Sequence, residues 1–517
     1  MKPTRKASGS KPAPKAYTSA LQRWSQLNAK RAGMLRRFEG YASVTIPKVC
    51  LPDNVDENSA SIQHDWSSVG AQAVNHLTNK IIMALYPMGM PFFRLDANDK
   101  LAAQLAEQGI SDDLLRDSLV GGEMRAMKIM DQRAVRPILF TCIRSLIVVG
   151  NILLDLSDNE NPRAIGIRNY VVKRSMTGKM VELLHYEKVL WDELDDKAQA
   201  KVAPKVGEDV YVEYVRHFCL SGGKWTMRIS ADAIDLGEEF QKVWQADRFP
   251  FYALTWDLAD NHNYGTGLVE DYAGDFGMLS SLAESEMKAA ILASDFRWLA
   301  NPAGTTDVEE FKKSRTGDVI PGVLNDLSLV AHVGAGNLQA IGMSAERVIN
   351  RLGRGFLLGT AVTRNAERVT AEEIRMTAVE LETSLGGVYS RLAVDMQLPI
   401  TVWLLEQTDV SIKGTDLIPT VVTGLAALSR SGEAQQLSSF LAALGGIGNL
   451  NPDVLARLKL SAVITTMAGA YGISSTQYVK DEQQIAQEQE AAAQAAQQQE
   501  ATSIAMQAGA DKLTQKE

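Results

Sequence analysis

Residues 364–390 read RNAERVTAEEIRMTAVELETSLGGVYS. Thr370 with Glu373 three residues on is a capping box, in which each side chain satisfies a backbone N–H of the opening turn. The spacing predicts a long helix from 371 towards Gln407. Pro399 must kink it, because proline lacks the N–H and its ring clashes with the preceding turn. Upstream, the polar run from Thr363 to Val369 breaks the helical period. It carries Arg364, Asn365 and Arg368 and reads as a loop between two helices.

Working back along the chain, Gln339 to Gly359 has helical periodicity. Residues 305–338 are short, mixed and Gly-rich, with a basic cluster at Lys312, Lys313 and Arg315. Asn301-Pro302-Ala303-Gly304 stops a further helix expected from Leu268 to Leu299, which would be roughly 45 Å long. Two long helices therefore flank an excursion of about 40 residues.

From Ala164 to Tyr252 the period is two, with turn signals at Thr177-Gly178-Lys179 and Ser221-Gly222-Gly223, so this region is β-rich. The acidic insert from Asp192 to Asp196 reads as a loop or short helix. Helices are expected over 16–40, 66–86, 99–108, 112–132 and 135–149, the last capped by Gly150. Strands are expected over 93–97 and 151–156, and shorter helices over 419–470. The fold class is α+β, mainly helical.

A chain of 517 residues exceeds one compact core. Cys50, Cys142 and Cys219 are odd in number and far apart, which excludes a disulfide scaffold and any CxxC site and points to a reducing compartment. Residues 1–40 hold ten basic residues and one acid, leaving 43 basic and 61 acidic residues, net −18, on the rest. A globally basic nucleic-acid wrapper is excluded. The first 16 residues read as a disordered basic arm. The Gln/Ala-rich tail, 481–517, reads as a solvated helix or as disorder. The most apolar stretch, Ile138 to Leu154, is shorter than the roughly 20 residues of a membrane span and contains Arg144 and Asn151. No secretory leader opens the chain, so a soluble cytoplasmic product is expected.

No catalytic pattern emerges. Gly178-Lys179 and Gly223-Lys224 are followed by Met180 and Trp225, so neither is a P-loop. The six histidines form no HExxH and no i,i+4 pair, and no GxSxG occurs. Gly334/Gly336 and Gly353/Gly355 do not complete a dinucleotide loop and are read as a turn and as close helix packing. No enzyme, cofactor or metal is expected.

The 364–390 stretch resembles the portal, or head-to-tail connector, proteins of short-tailed podovirus-type bacteriophages. Further blocks carry the likeness: Trp66 to Ala71, Ala84 to Met88, Val148 to Leu154, Tyr264 to Gly267 with Glu270, and Asn301 to Gly304. The match runs collinearly over about residues 17–480. The resemblance implies a ring, typically a dodecamer, around a DNA channel at one capsid vertex. It implies a wing at 17–267, a stem at 268–299 and 339–360, a clip at 300–338, a tunnel loop at 361–370, a kinked wing helix at 371–418 and a crown at 419–480. It implies genome packaging and ejection, and nucleation of head assembly. The partners implied are double-stranded DNA, the terminase large subunit, a tail adaptor, the major capsid and scaffolding proteins and internal core proteins, with no membrane insertion. Localisation would be the virion, after assembly in the host cytoplasm.

On this reading Arg364, Asn365 and Arg368 meet DNA in the channel, while Lys312, Lys313 and Arg315 meet a docking partner. The alternatives are that Arg368 pairs with Glu372 at i,i+4 and that the clip cluster is solvated. An enzyme of unknown type and a non-viral helical scaffold are the competing functions.

Overall fold

The computed structural model describes residues 19–53, 65–88, 91–97, 112–202, 210–294, 296–331, 335–358, 371–408 and 417–421, with isolated positions at 55, 59, 107 and between 437 and 467. The expected basic arm, the helix at 99–108, the loop at 361–370, most of 419–480 and the tail lie outside the described residues. In chain order the helices are α1 (Ala20–Lys30), α2 (Ala32–Ser43), α3 (Val69–Leu85), α4 (Asp112–Gln132), α5 (Val135–Val149), α6 (Asp196–Gln199), α7 (Leu268–Asp271), α8 (Ala273–Ser294), α9 (Val308–Lys313), α10 (Ala335–Gly355), α11 (Ala371–Leu385), α12 (Gly387–Leu392) and α13 (Leu398–Glu406). The strands are β1 (Phe93–Ala97), β2 (Asn151–Asp155), β3 (Arg163–Ile165), β4 (Tyr170–Arg174), β5 (Met180–Leu190), β6 (Tyr211–Ser221), β7 (Lys224–Ala231), β8 (Ile234–Asp235), β9 (Lys242–Gln245), β10 (Phe251–Thr255), β11 (Phe296–Ala300), β12 (Leu327–Ala331) and β13 (Leu417–Val421).

The chain divides into two compact units. One comprises 1–83, 133–369 and 381–392; the other comprises 84–132, 370–380 and 393–517. In the first, β4-β5-β6-β7-β8 form an antiparallel sheet with β9 also on β7. Its hairpins turn at Gly178 (φ 76°) and at Gly222 and Gly223 (φ 57° and 78°), where a positive φ favours glycine. One sheet face holds Val171, Leu184 and Val215, which Ala20 and Trp24 of α1 cover. Trp24 stacks on Tyr186 at 5.2 Å. The other face carries Phe218 against Phe251 (4.6 Å), and Trp225 stacks on Phe249 (4.2 Å). This aromatic layer joins the large sheet to a three-stranded one, β10-β2-β3.

The apolar run that falls short of a membrane span is α5 and β2. Nine residues of α5 and all five of β2 are buried, as expected of a central strand covered on both faces. Among the described residues no helix is long and apolar enough to cross a membrane. Gly150 ends α5 in the left-handed region at φ 73°. Asn151 then donates from Nδ2 to Val149 O and Gly265 O, both at 2.7 Å, and accepts from the Gly265 N–H at 2.8 Å. A Cβ on Gly265 would stand 2.5 Å from Asp257 O, and one on Gly267 would stand 2.6 Å from Ile147 O. Two blocks more than a hundred residues apart thus interlock, and α7 and α8 leave directly from this junction.

Helices α1 and α2 replace the single expected helix 16–40. Arg31 separates them and is buried. Its guanidinium donates to Ile167 O (2.7 Å), Tyr170 O (2.6 Å) and Arg168 O (3.0 Å). Carbonyl oxygens thus satisfy a charge that burial alone would penalise.

In the second unit, β1 pairs antiparallel with β13, with Phe93 opposite Val421. The Leu95 N–H donates to the buried Glu123 carboxylate at 2.8 Å. This corrects the helical expectation at 419–421: a short apolar run takes the state its distant partner imposes. The expected helix 371–407 is broken twice. Gly386 adopts φ 58° between α11 and α12. A π-turn at Ala393–Gln397 precedes Pro399, where the helix widens to accommodate the missing N–H and the ring.

Asn151→Ala is expected to lower the unfolding midpoint of the first unit by the equivalent of about 3 kcal/mol, since it strands buried backbone groups. Thermal melting followed by tryptophan fluorescence checks this.

Candidate functional site

Helices α8 and α10 run as a pair and carry the excursion 296–331 between them. Arg351 donates to Asp275 through Nε (3.0 Å) and Nη2 (2.5 Å). Phe356 packs edge-on against Tyr272 (5.4 Å) and Phe276 (5.5 Å). A side chain on Gly355 would collide with the Tyr272 ring, which bears out close packing at that glycine. The first stretch of α8 buries Phe276 and Leu279, whereas Met278 and Met287 are exposed, as is Met343 on α10. Apolar residues lie around α8 rather than on one stripe, and part of that surface is left exposed.

Helix α8 ends at Ser294, so the sequence expectation of helix to Leu299 is corrected. Residues 296–300 form β11, paired with β12 so that Trp298 opposes Leu329. Beyond β11 the chain is held by Asp326. Its Oδ2 accepts from the N–H of Thr305 (2.8 Å), the N–H of Thr306 (3.0 Å) and the Thr306 hydroxyl (2.9 Å). The Thr306 hydroxyl, followed by these N–H bonds, holds the carboxyl below its ordinary pKa. A Cβ on Gly304 would stand 2.5 Å from Asp326 Cγ, so the close approach requires glycine. Asp307 then caps α9, accepting from Glu309 N (2.8 Å) and Glu310 N (3.3 Å). Phe311 of α9 packs edge-on against Trp298 at 5.2 Å. At the tip, Val319 is 98% and Leu324 96% exposed.

Lys312 and Lys313 occupy the last turn of α9, where cations suit the helix dipole. Lys312 pairs with Glu309 at 2.9 Å, Lys313 is exposed, and the Arg315 N–H closes a turn on Asp318 Oδ2 at 2.6 Å. The structure therefore groups these three residues on one short exposed segment. Arg364, Asn365 and Arg368 lie outside the described residues.

A second cluster escapes sequence reasoning. Glu182 on β5 stands directly opposite Cys219 on β6. His217 lies two residues before Cys219, hence on the same face. His217 Nε2 is 3.0 Å from Glu182 Oε1 and 3.1 Å from Cys219 Sγ. Arg23 of α1 grips both Glu182 oxygens, at 2.8 and 2.7 Å. Burial opposes the Glu182 charge, but Arg23 and then His217 outweigh it and hold its pKa at about 2. Burial likewise opposes a charge on His217, but Cys219 and Glu182 raise its pKa to about 9. The separation from 182 to 217 hid the cluster; the His-x-Cys alternation on a strand was its one local signal.

A sequence-family model described as bacteriophage head to tail connecting protein matches residues 17–214 and 226–479. The chain belongs to this connector family. The portal protein of Enterobacteria phage SP6 is 34% identical over 81% of this chain and 81% of its own. That of Pseudomonas phage phiKMV is 30% identical over 96% of this chain and 98% of its own. The likeness to solved structures is slight: the neck of an empty gene transfer agent particle covers 76% of this chain and 90% of its own, at TM-score 0.35 and 12% identity. As a connector-family member, the chain has a structural role between the head and tail of a phage.

Asp326→Ala is expected to release residues 303–306 from the base of the excursion. Faster hydrogen exchange there, with α8 and α10 unchanged, is the readout. Because the folded pKa of Asp326 is depressed, its contribution is present above about pH 4 and lost as pH falls below that. Acidification of the unsubstituted chain should therefore loosen the same residues.

Proposed function

We propose that the chain is a portal subunit, twelve of which form a ring at one capsid vertex through which the genome is packaged and later ejected. The observation that carries this reading is the family match along nearly the whole chain. The paired helices with uncovered apolar residues supply its physical support. In this reading α8 and α10 are the stem and the excursion between them is the clip. Residues 17–267 and 371–418 are the wing, and 419–480 the crown. Met278, Met287 and Met343 are 46%, 39% and 51% exposed on one subunit, so covering the remainder against a neighbour would stabilise each by roughly 1 kcal/mol.

The clip docks the terminase large subunit and then the tail adaptor. Lys313 and Arg315 offer cations to an acidic partner beside the apolar tip at Val319 and Leu324. The ring also contacts the capsid, scaffolding and internal core proteins. It works as a structural conduit and not as an enzyme. At −9 per chain, twelve copies carry −108. An acidic wall disfavours sticking of the DNA backbone, while rings of Arg364 and Arg368, with Asn365 beside them, give the loop 361–370 a local grip.

Electron microscopy of the purified protein tests the assembly. Rings of about 680 kDa with a central hole are expected from twelve chains of 56.4 kDa. A chain that stays monomeric at every salt concentration, alone and with its assembly partners, would sink the reading.

Arg364→Ala with Arg368→Ala is expected to leave the ring intact and to reduce genome retention, at about 1 kcal/mol per exposed charge pair. Normal retention with an unstable ring would instead assign the arginines to pairs with Glu372 and its neighbours.

A further inference from the structure

We propose that Glu182, His217 and Cys219 form a binding site for a borderline-soft divalent cation of the zinc type. Glu182 Oε1, His217 Nε2 and Cys219 Sγ all lie within 4.8 Å of one another. Zinc bonds of about 2.0–2.3 Å in tetrahedral geometry place ligand atoms about 3.3–3.8 Å apart. The observed separations of 3.0 Å and 3.1 Å about His217 Nε2 need to open by only a few tenths of an ångström. The three groups project from two paired strands in fixed register, Glu182 opposite Cys219, so the donor triangle is set by the sheet and not by a loop.

The donor set selects the cation. A thiolate, an imidazole nitrogen and one carboxylate oxygen suit zinc or cobalt and are poor for magnesium or calcium. His217 is almost buried, whereas Cys219 is exposed. The site therefore opens to solvent on the sulfur side. That side gives the ion an entry path and leaves a fourth position for water.

Arg23 supports the arrangement from α1. It now bonds both Glu182 oxygens. On metal binding, Oε1 gives up its bond from Arg23 Nε and turns to the ion, while Oε2 keeps its bond from Nη2. Arg23 then acts as the outer partner that orients a ligating carboxylate. The Cys219 thiol proton and any proton on His217 Nε2 pass to solvent as the ion enters. The bound ion would tie β5, β6 and, through Arg23, α1 into one unit.

The proposal stands independently of the portal reading. The test is titration of the full-length, reduced protein with cobalt(II). Expected are one equivalent per chain and a thiolate-to-cobalt charge-transfer band that zinc displaces. Cys219→Ser should abolish the band while the metal-free protein stays folded, since a serine hydroxyl can still meet His217 Nε2. Glu182→Gln should weaken binding at least about tenfold, the usual scale for losing a ligand or its support. Zinc should raise the melting temperature of the unsubstituted protein and not that of Cys219→Ser. A band that persists in Cys219→Ser would trace the thiolate to Cys50 or Cys142 and overturn the assignment. Absence of any band in the unsubstituted protein at millimolar cobalt would overturn it equally.

Discussion

Three hydrogen bonds tie the Asn151 side chain to Val149 and Gly265, and the placement of the long paired helices depends on them. They clamp the loop 264–267 onto the end of α5, where glycines at 150, 265 and 267 allow backbone to meet backbone. Gly267 is also the N-cap of α7, and α8 follows after one residue. The direction in which the α8–α10 pair leaves the β-rich region is therefore set within a few residues of a buried amide. A larger residue at any of these glycines would push the loop away and swing everything beyond it.

Within the same unit, rigidity is graded. The region around α5 and β2 is packed on all sides. The large sheet is held by α1 on one face and by an aromatic layer on the other. The excursion 296–331 has a two-stranded base, one carboxylate accepting several donors and one aromatic pair. Its tip is left apolar and wet. Low internal packing with exposed apolar side chains suits a surface whose partners are other molecules.

Much of the local structure was legible. The bounds of α4 and α5, the Gly150 cap, the strand at 93–97 and the hairpin turns follow from periodicity and turn chemistry. The misreadings share one cause. Residues 296–300 and 417–421 are short apolar runs, and a partner more than 25 residues away makes them strands. Arg31 splits a continuous helical pattern because the carbonyls of 167, 168 and 170 draw its guanidinium inward. The basic segment at 312–315 was visible as composition, and the Glu182–His217–Cys219 group was not, because two strands joined only by their pairing contribute to it.

The sequence by itself determined the family, the alternation of helical and β-rich regions, and the two long helices flanking an excursion. These follow from local signals: caps, turn glycines, periods of two and 3.6, and motif blocks in fixed order. Only the tertiary structure decided which blocks touch. It locked Asn151 into the loop at 265, turned 296–300 into an edge of a hairpin, and brought a carboxylate, an imidazole and a thiol onto one sheet face. The physical reason is that strand pairing and buried hydrogen bonds take their partners from across space, and no window of sequence contains both halves of such a bond.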